Sequence, residues 1–317
     1  MALRYADSRY ESHLSIVDGT AKSPYRYRVL LPYVIEWISQ TASKLFELRV
    51  RTVTAGLYEV QLFVSLALGL ILSFFHFRKY VPDLVALLGC LYLSGLVGFT
   101  YLFLSFQPWG WWELPVFTAG LHLILRNRRL LLVLLILVAS FLRETAALLV
   151  PLYFIARFKY DTRKDLFIWT IILGIVTTAV FIGLRLSLGF APHVGAELEN
   201  PLTYRVVHNL TTPLPIINFL LFYNVLWYFS IKYAKVQPIK IRNCLLFIPL
   251  FLIVHALCAH MNETRYYFMI APIIMPLALT VLSEKYSGER GEHGISPSSY
   301  LPIAPEDNSK RQEVILR

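Results

Sequence analysis

The sequence specifies an all-helical bundle that crosses a bilayer several times, and three observations carry that expectation. First, 56% of the 317 residues are hydrophobic and only 16% are charged, whereas soluble domains hold roughly 45–50% and 25%. Second, apolar runs of about 20 residues, the length that crosses a hydrocarbon core of about 30 Å, recur along most of the chain. Third, Lys and Arg crowd into short links between those runs, as they do in loops retained on the cytoplasmic side. About eight or nine hydrophobic helices are expected, preceded by an external loop with an amphipathic interfacial helix.

The head, residues 1–52, is polar and aromatic. Its stretch DGTAKSPYRYRVLLPYVIEW, beginning at Asp18, sets Lys22, Arg26 and Arg28 among prolines and tyrosines. Over 29–48, Leu30, Leu31, Val34, Trp37, Ile38 and Leu45 recur at helical spacing, with Glu36, Gln40, Lys44 and Glu47 elsewhere. Such a helix lies flat in the headgroup layer better than it spans.

The transmembrane bundle is expected over 53–283, with spans at 53–75, 81–105, 112–125, 130–156, 166–190, 214–231, 243–260 and 266–283. From residue 284 to 317 the chain turns rich in Gly, Ser, Pro and charge, the composition of a disordered tail. The links RFKYDTRK (157–164) and KYAKVQPIKIR (232–242) each carry four Lys or Arg, while 191–213 carries only Arg205. The basic links and the tail are therefore expected in the cytoplasm and 191–213 outside.

The stretch 130–156 admits two readings. As one helix it measures about 40 Å, with Arg143 and Glu144 near mid-depth. As a hairpin it turns at Arg143, Glu144 and Thr145, and it keeps RNRR (126–129) and HFRK (76–79) cytoplasmic. The hairpin is preferred, although it puts a head with eight Lys or Arg outside. Translocating such a head requires a transmembrane helix upstream of residue 1, which is the expectation.

Composition excludes several functions. The net charge of +10 has no soluble basic domain to carry it, so membrane lipids rather than nucleic acid are the expected partners. Cys90, Cys244 and Cys258 all fall in apolar runs and suggest neither a disulfide framework nor a metal site. Residues 1–28 lack the apolar core of a signal peptide.

In the hairpin topology, the polar residues that hydrophobicity leaves unexplained gather on the external side. Arg143 and Arg265 suit an anionic group such as a lipid-linked phosphate, because guanidinium offers a planar fork of donors. Glu144 and Glu263 stand beside them, and Arg26 and Arg28 sit at headgroup level. Asp7, Glu11 and Asp18 are the external acids able to deprotonate an acceptor, or to bind a divalent metal that carries a donor's phosphate. No clear metal ligand set accompanies them. His255 and His260 could serve as bases in acyl transfer, and Glu59 is expected to face the bundle interior with a partner.

Taken together, the acidic first loop, the flat helix near PYRYRVLLP (24–32), the many short helices, the Arg-Glu-Thr turn and the Glu-Arg mouth before a proline-containing last span resemble C-type integral membrane glycosyltransferases. They are most like uncharacterised prokaryotic membrane proteins of that superfamily. The resemblance covers most of 1–283. It implies transfer of a sugar from a polyprenyl-phosphate carrier on the external face. It also implies a catalytic acid in the first loop, where Asp7 matches best and Asp18 next, and phosphate contacts from Arg143 and Arg265. Two alternatives stay open: a transporter or assembly subunit of a surface-polysaccharide system, and an acyltransferase.

Overall fold

The computed structural model describes residues 2–102, 108–191, 201–232, 234, 239–258 and 263–288. Among them the architecture is entirely helical, without a strand. The helices are α1 (Ala2–Val17), α2 (Leu30–Phe46), α3 (Val50–Phe77), α4 (Asp83–Leu102), α5 (Glu113–Leu125), α6 (Arg129–Leu142), α7 (Leu149–Arg157), α8 (Arg163–Leu188), α9 (Pro201–Thr211), α10 (Pro213–Tyr223), α11 (Val225–Lys232), α12 (Ile239–Asn243), α13 (Phe247–Cys258) and α14 (Ala271–Gly288). Short 3-10 turns at Pro108–Trp112, Glu144–Leu148 and Thr264–Met269 lead into α5, α7 and α14.

Three described stretches have the length and composition to cross a membrane: Val50–Phe77, Arg163–Leu188 and Ile241–Cys258. Asp83–Gly98, Arg129–Leu142 and Ala271–Ser283 are shorter apolar helices. The expected eight or nine hydrophobic helices do not map one to one onto these. The 130–156 stretch breaks at Arg143, and 214–231 breaks at Asn224, whose φ of 46° no regular helix accommodates. The polar head, expected as a loop, is helical over Ala2–Val17. The last helix runs to Gly288, a little past its expected end, and the expected tail beyond it lies outside the described residues.

α3 is built inside out. Its buried residues are Thr54, Tyr58, Gln61, Ser65, Gly69, Ser73, His76 and Phe77, nearly all small or polar, three or four positions apart as far as His76. Val60, Phe63, Val64, Leu68, Ile71 and Phe75 point outward and are exposed. In water this arrangement would be costly. In lipid, apolar side chains gain nothing by turning inward, and polar ones find partners only against other helices. At the centre stands α14, apolar on every face: Ala271, Ile273, Ile274, Met275, Leu277 and Ala278 are fully buried, as a helix surrounded by others requires.

The 130–156 stretch is a hairpin. Arg143 adopts extended φ/ψ of −164° and 144° and ends α6. The chain then returns, so that Arg129 at the start of α6 donates to Asp161 just past the end of α7, at 3.1 Å. Arg157 and the Tyr153 hydroxyl donate to the same carboxylate. Burial alone would raise the Asp161 carboxyl, but the hydrogen bond and charge of Arg157, with Arg129 and Tyr153, hold it below its ordinary value. α5 packs closely against the returning arm, because a Cβ on Gly120 would lie 2.6 Å from Leu149 Cδ2. The hairpin tip, carrying Arg143 and Glu144, thus stands at the end of the bundle opposite the basic link 157–164.

Candidate functional site

Four segments bring charge to that tip. α5 contributes Glu113 in its first turn, where a carboxylate suits the positive end of the helix dipole. The hairpin contributes Arg143, Glu144 and Thr145. The head contributes Arg28, which follows the Tyr25–Tyr27 turn. The Thr264–Met269 turn contributes Arg265 and Tyr266, with Glu263 just before it.

The arginines pair with the glutamates one to one. Arg28 grips Glu144 with both ends of its fork, its Nε donating to Oε2 at 3.0 Å and its Nη2 to Oε1. Arg265 Nη2 pairs with Glu263 Oε2. Arg143 Nη1 stands 2.9 Å from Glu113 Oε1, which also accepts from the Thr145 hydroxyl at 2.7 Å. The three guanidinium groups are 3%, 4% and 1% exposed, in chain order. Tyr266 joins the cluster at its middle: Arg143 lies 4.5 Å from the ring centroid and Arg265 5.5 Å. At Gly110, a Cβ would overlap the Arg265 stem and come within 3.4 Å of Arg143 Nη1, so only glycine lets the Pro108–Trp112 turn approach both arginines.

Arg143 differs from the other two arginines. Its Nε, Nη1 and Nη2 are all buried, and none is aligned on a hydrogen-bond acceptor among the described residues, despite the nearness of Glu113. The buried Trp112 indole N–H is equally without an acceptor there. Both side chains line a small cavity of about 10 Å³, with Glu113, Ala139, Leu142 and Thr145 among its other walls. Leaving such donors unmet costs on the order of 1–3 kcal/mol each, more where the group is charged. The Glu113 carboxylate and the Thr145 hydroxyl share this cavity with the donors, and its volume is about that of one water molecule.

The sequence expectations distribute unevenly over this geometry. Arg28, Arg143, Glu144, Glu263 and Arg265 come together. Arg26 turns away, donating to the Leu188 carbonyl at the end of α8, where the Tyr27 hydroxyl donates to Gly189 O at 3.1 Å. Glu11 and Asp18 are exposed, on α1 and just after it, and no ion pair joins either to the cluster among the described residues. The side chain of Asp7, and all of His260, lie outside the described residues. Glu59 has a partner in Arg9, as expected, but its side chain is exposed rather than turned into the bundle interior. Glu113 is legible in the sequence only as one of the unexplained external polar residues, and nothing in the sequence marks Tyr266, Gly110 or Trp112. The signal for Glu113 was its place at the end of PWGWWE, an acid directly after an aromatic turn.

Among the described residues no three His, Cys, Asp or Glu side chains converge.

A bundle whose longest helix faces its polar side inward and whose buried arginines converge at one end is an integral membrane protein with a polar cluster at that end. Residues 25–288 match the EpsG family, and the chain belongs to that family, one of membrane glycosyltransferase-like and polymerase proteins related to polysaccharide. No curated protein and no solved structure matches the chain significantly.

Proposed function

We propose that this protein is a membrane glycosyltransferase of polysaccharide assembly that takes a sugar from a polyprenyl-phosphate-linked donor. The observation that supports this most is Arg143, a buried guanidinium whose donors are not aligned on an acceptor although Glu113 stands 2.9 Å away, beside an unmet indole N–H and in one cluster with Arg28 and Arg265. A phosphate supplies the acceptors these groups lack, and bidentate Arg–phosphate contact is among the strongest neutral-pH interactions available. The exposed apolar faces of α3 and α8 suit the lipid tail of the carrier. The basic link 157–164 lies at the far end of the hairpin, so by the short-loop rule the cluster faces the external side. Negative charge grows on the phosphate as the sugar departs, and fixed donors there stabilise the transition state more than the ground state.

The test replaces Arg143 with Ala and with Lys in cells whose only copy is the variant, and measures the high-molecular-weight polysaccharide formed. Loss of about 100-fold or more is expected for Arg143→Ala, the scale of removing a transition-state donor, with partial recovery in Arg143→Lys. Undiminished polymer from both Arg143→Ala and Arg265→Ala, with normal protein levels, would remove the assignment.

A further inference from the structure

Transfer to a sugar hydroxyl needs a group that accepts the hydroxyl proton, and we infer that in this protein the group is His255. The inference rests on the functional reading above. Three of its supports are geometric.

The first is position. His255 on α13 is 3% exposed, and its ring centroid lies 4.6 Å from that of Tyr266, edge to face. Tyr266 is the ring that carries Arg143 and Arg265. His255 therefore borders the proposed phosphate seat.

The second is the tautomer. His255 Nδ1 lies 3.0 Å from the Phe251 carbonyl oxygen. A carbonyl oxygen only accepts, so Nδ1 must carry the hydrogen. The neutral imidazole then holds its lone pair at Nε2. The second shell thus sets the side chain up as a base, in the way a carbonyl or carboxylate orients a working histidine.

The third is elimination within the cluster. Glu144 is gripped by Arg28 and Glu263 by Arg265; Glu113, beside Arg143 and accepting from Thr145, is the one of the three not held in this way. At Glu263, burial raises the carboxyl but the charges of Arg265 and Arg143 and the Tyr266 hydroxyl bring it below its ordinary value. A carboxylate so compensated is a poor proton acceptor. His255 has no ion pair among the described residues. The charged groups acting on it are Arg143 and Glu263. From α9, the neighbouring contact is an amide: Asn209 Nδ2 donates to the Ala256 carbonyl at 3.0 Å.

The step is as follows. The acceptor sugar's O–H bond breaks, and the proton passes to His255 Nε2. The freed oxygen forms a bond to the anomeric carbon of the donor sugar. The bond from that carbon to the phosphate oxygen breaks, and its electron pair leaves on the phosphate beside Arg143. The imidazolium then returns its proton to bulk water or to the released phosphate.

The experiment separates this inference from the reading beneath it. Purified protein in liposomes is titrated with undecaprenyl phosphate, with Trp111 and Trp112 fluorescence reporting binding. Polymer formation is measured in parallel, in membranes of cells carrying each variant as their sole copy. His255→Asn and His255→Gln should bind the phospholipid within about twofold of the wild type but form polymer at least about 100-fold more slowly, the scale of removing a general base. Arg143→Ala should lose binding as well. Wild-type rates in either His255 variant would overturn the role of His255 alone. Tight phospholipid binding by Arg143→Ala would instead undermine the proposed phosphate site. Should neither variant accumulate folded, His255→Ala assayed with and without added imidazole decides: recovery of polymer formation by imidazole supports the inference, and no recovery overturns it.

Discussion

Arg129 Nη2 donates to Asp161 Oδ2 at 3.1 Å, joining the first turn of α6 to the residues just beyond α7. That one contact requires the chain between them to double back, and it places Arg143 at the tip. Asp161 also accepts from Arg157 and Tyr153, so Asp161→Asn would leave two arginines facing each other with no charge between them. The expected loss is about 3 kcal/mol, the scale of removing one partner from a buried ion pair. Thermal unfolding in detergent micelles should show it as a lower Tm.

The same carboxylate gives the hairpin an acid limit. Its folded-state pKa lies below the ordinary 3.8, so the stability it contributes is complete above about pH 4 and is lost as pH falls through the lower folded value. The wild type should therefore lose Tm on acidification below about pH 4, and Asp161→Asn should lose less over that window. Equal acid sensitivity of the two proteins would mean that other carboxylates govern this range.

Gly110 is the third test. A methyl group there would press on the Arg265 stem and approach Arg143 Nη1. Gly110→Ala should leave expression and Tm close to the wild type, because the turn can shift slightly. Polymer formation should fall by up to about 100-fold, as displacements near 1 Å at a reacting centre can cost. Unchanged polymer yield would show that the two arginines tolerate displacement.

How much of this was legible in the sequence depends on the residue. The Arg-Glu-Thr turn was, because three polar residues between two apolar runs have no other cheap arrangement in a membrane. That Arg143 and Arg265 meet was expected from topology alone, since both were assigned to one side. The partners were not legible. Whether Arg143 faces Glu113 or Glu144 depends on the rotation of α5 against the hairpin, which Gly120 and Leu149 set by close packing, and no periodicity in either helix encodes it. The acids of the head looked catalytic by position. The helix over Ala2–Val17 instead leaves Glu11 exposed, while His13, on the same helix, is buried between the Tyr58 hydroxyl at 2.9 Å and Glu36 at 2.8 Å.

Arg28 and Glu144 connect the head to the tip of the hairpin, 116 positions apart in sequence. Glu144→Gln keeps the shape but weakens the grip, and the Tyr25–Tyr27 turn should then open more often. Trypsin cleavage at Arg26 or Arg28 should accelerate roughly tenfold, the population change that about 1.4 kcal/mol produces. The exchanged pair, Arg28→Glu with Glu144→Arg, should recover part of the protection. No difference in cleavage would mean that the packing of Tyr27 against α8 alone holds the head.

The inside-out pattern of α3 makes opposite predictions for neighbouring positions. Ser65 is fully buried and donates to the Leu62 carbonyl at 2.9 Å, while Phe63 is 71% exposed. Ser65→Leu is the substitution a hydropathy argument would favour, yet it forces a larger side chain into a packed interface, at about 1–3 kcal/mol. Phe63→Leu changes only an outward apolar surface and should stay within about 0.5 kcal/mol. Tm in lipid nanodiscs measures both. A stable Ser65→Leu protein beside a destabilised Phe63→Leu protein would mean that the polar face of α3 is turned away from the other helices. The head, which α3 holds through Thr54–Ser39 at 2.9 Å and Tyr58–His13, would then be placed differently against the arginine cluster.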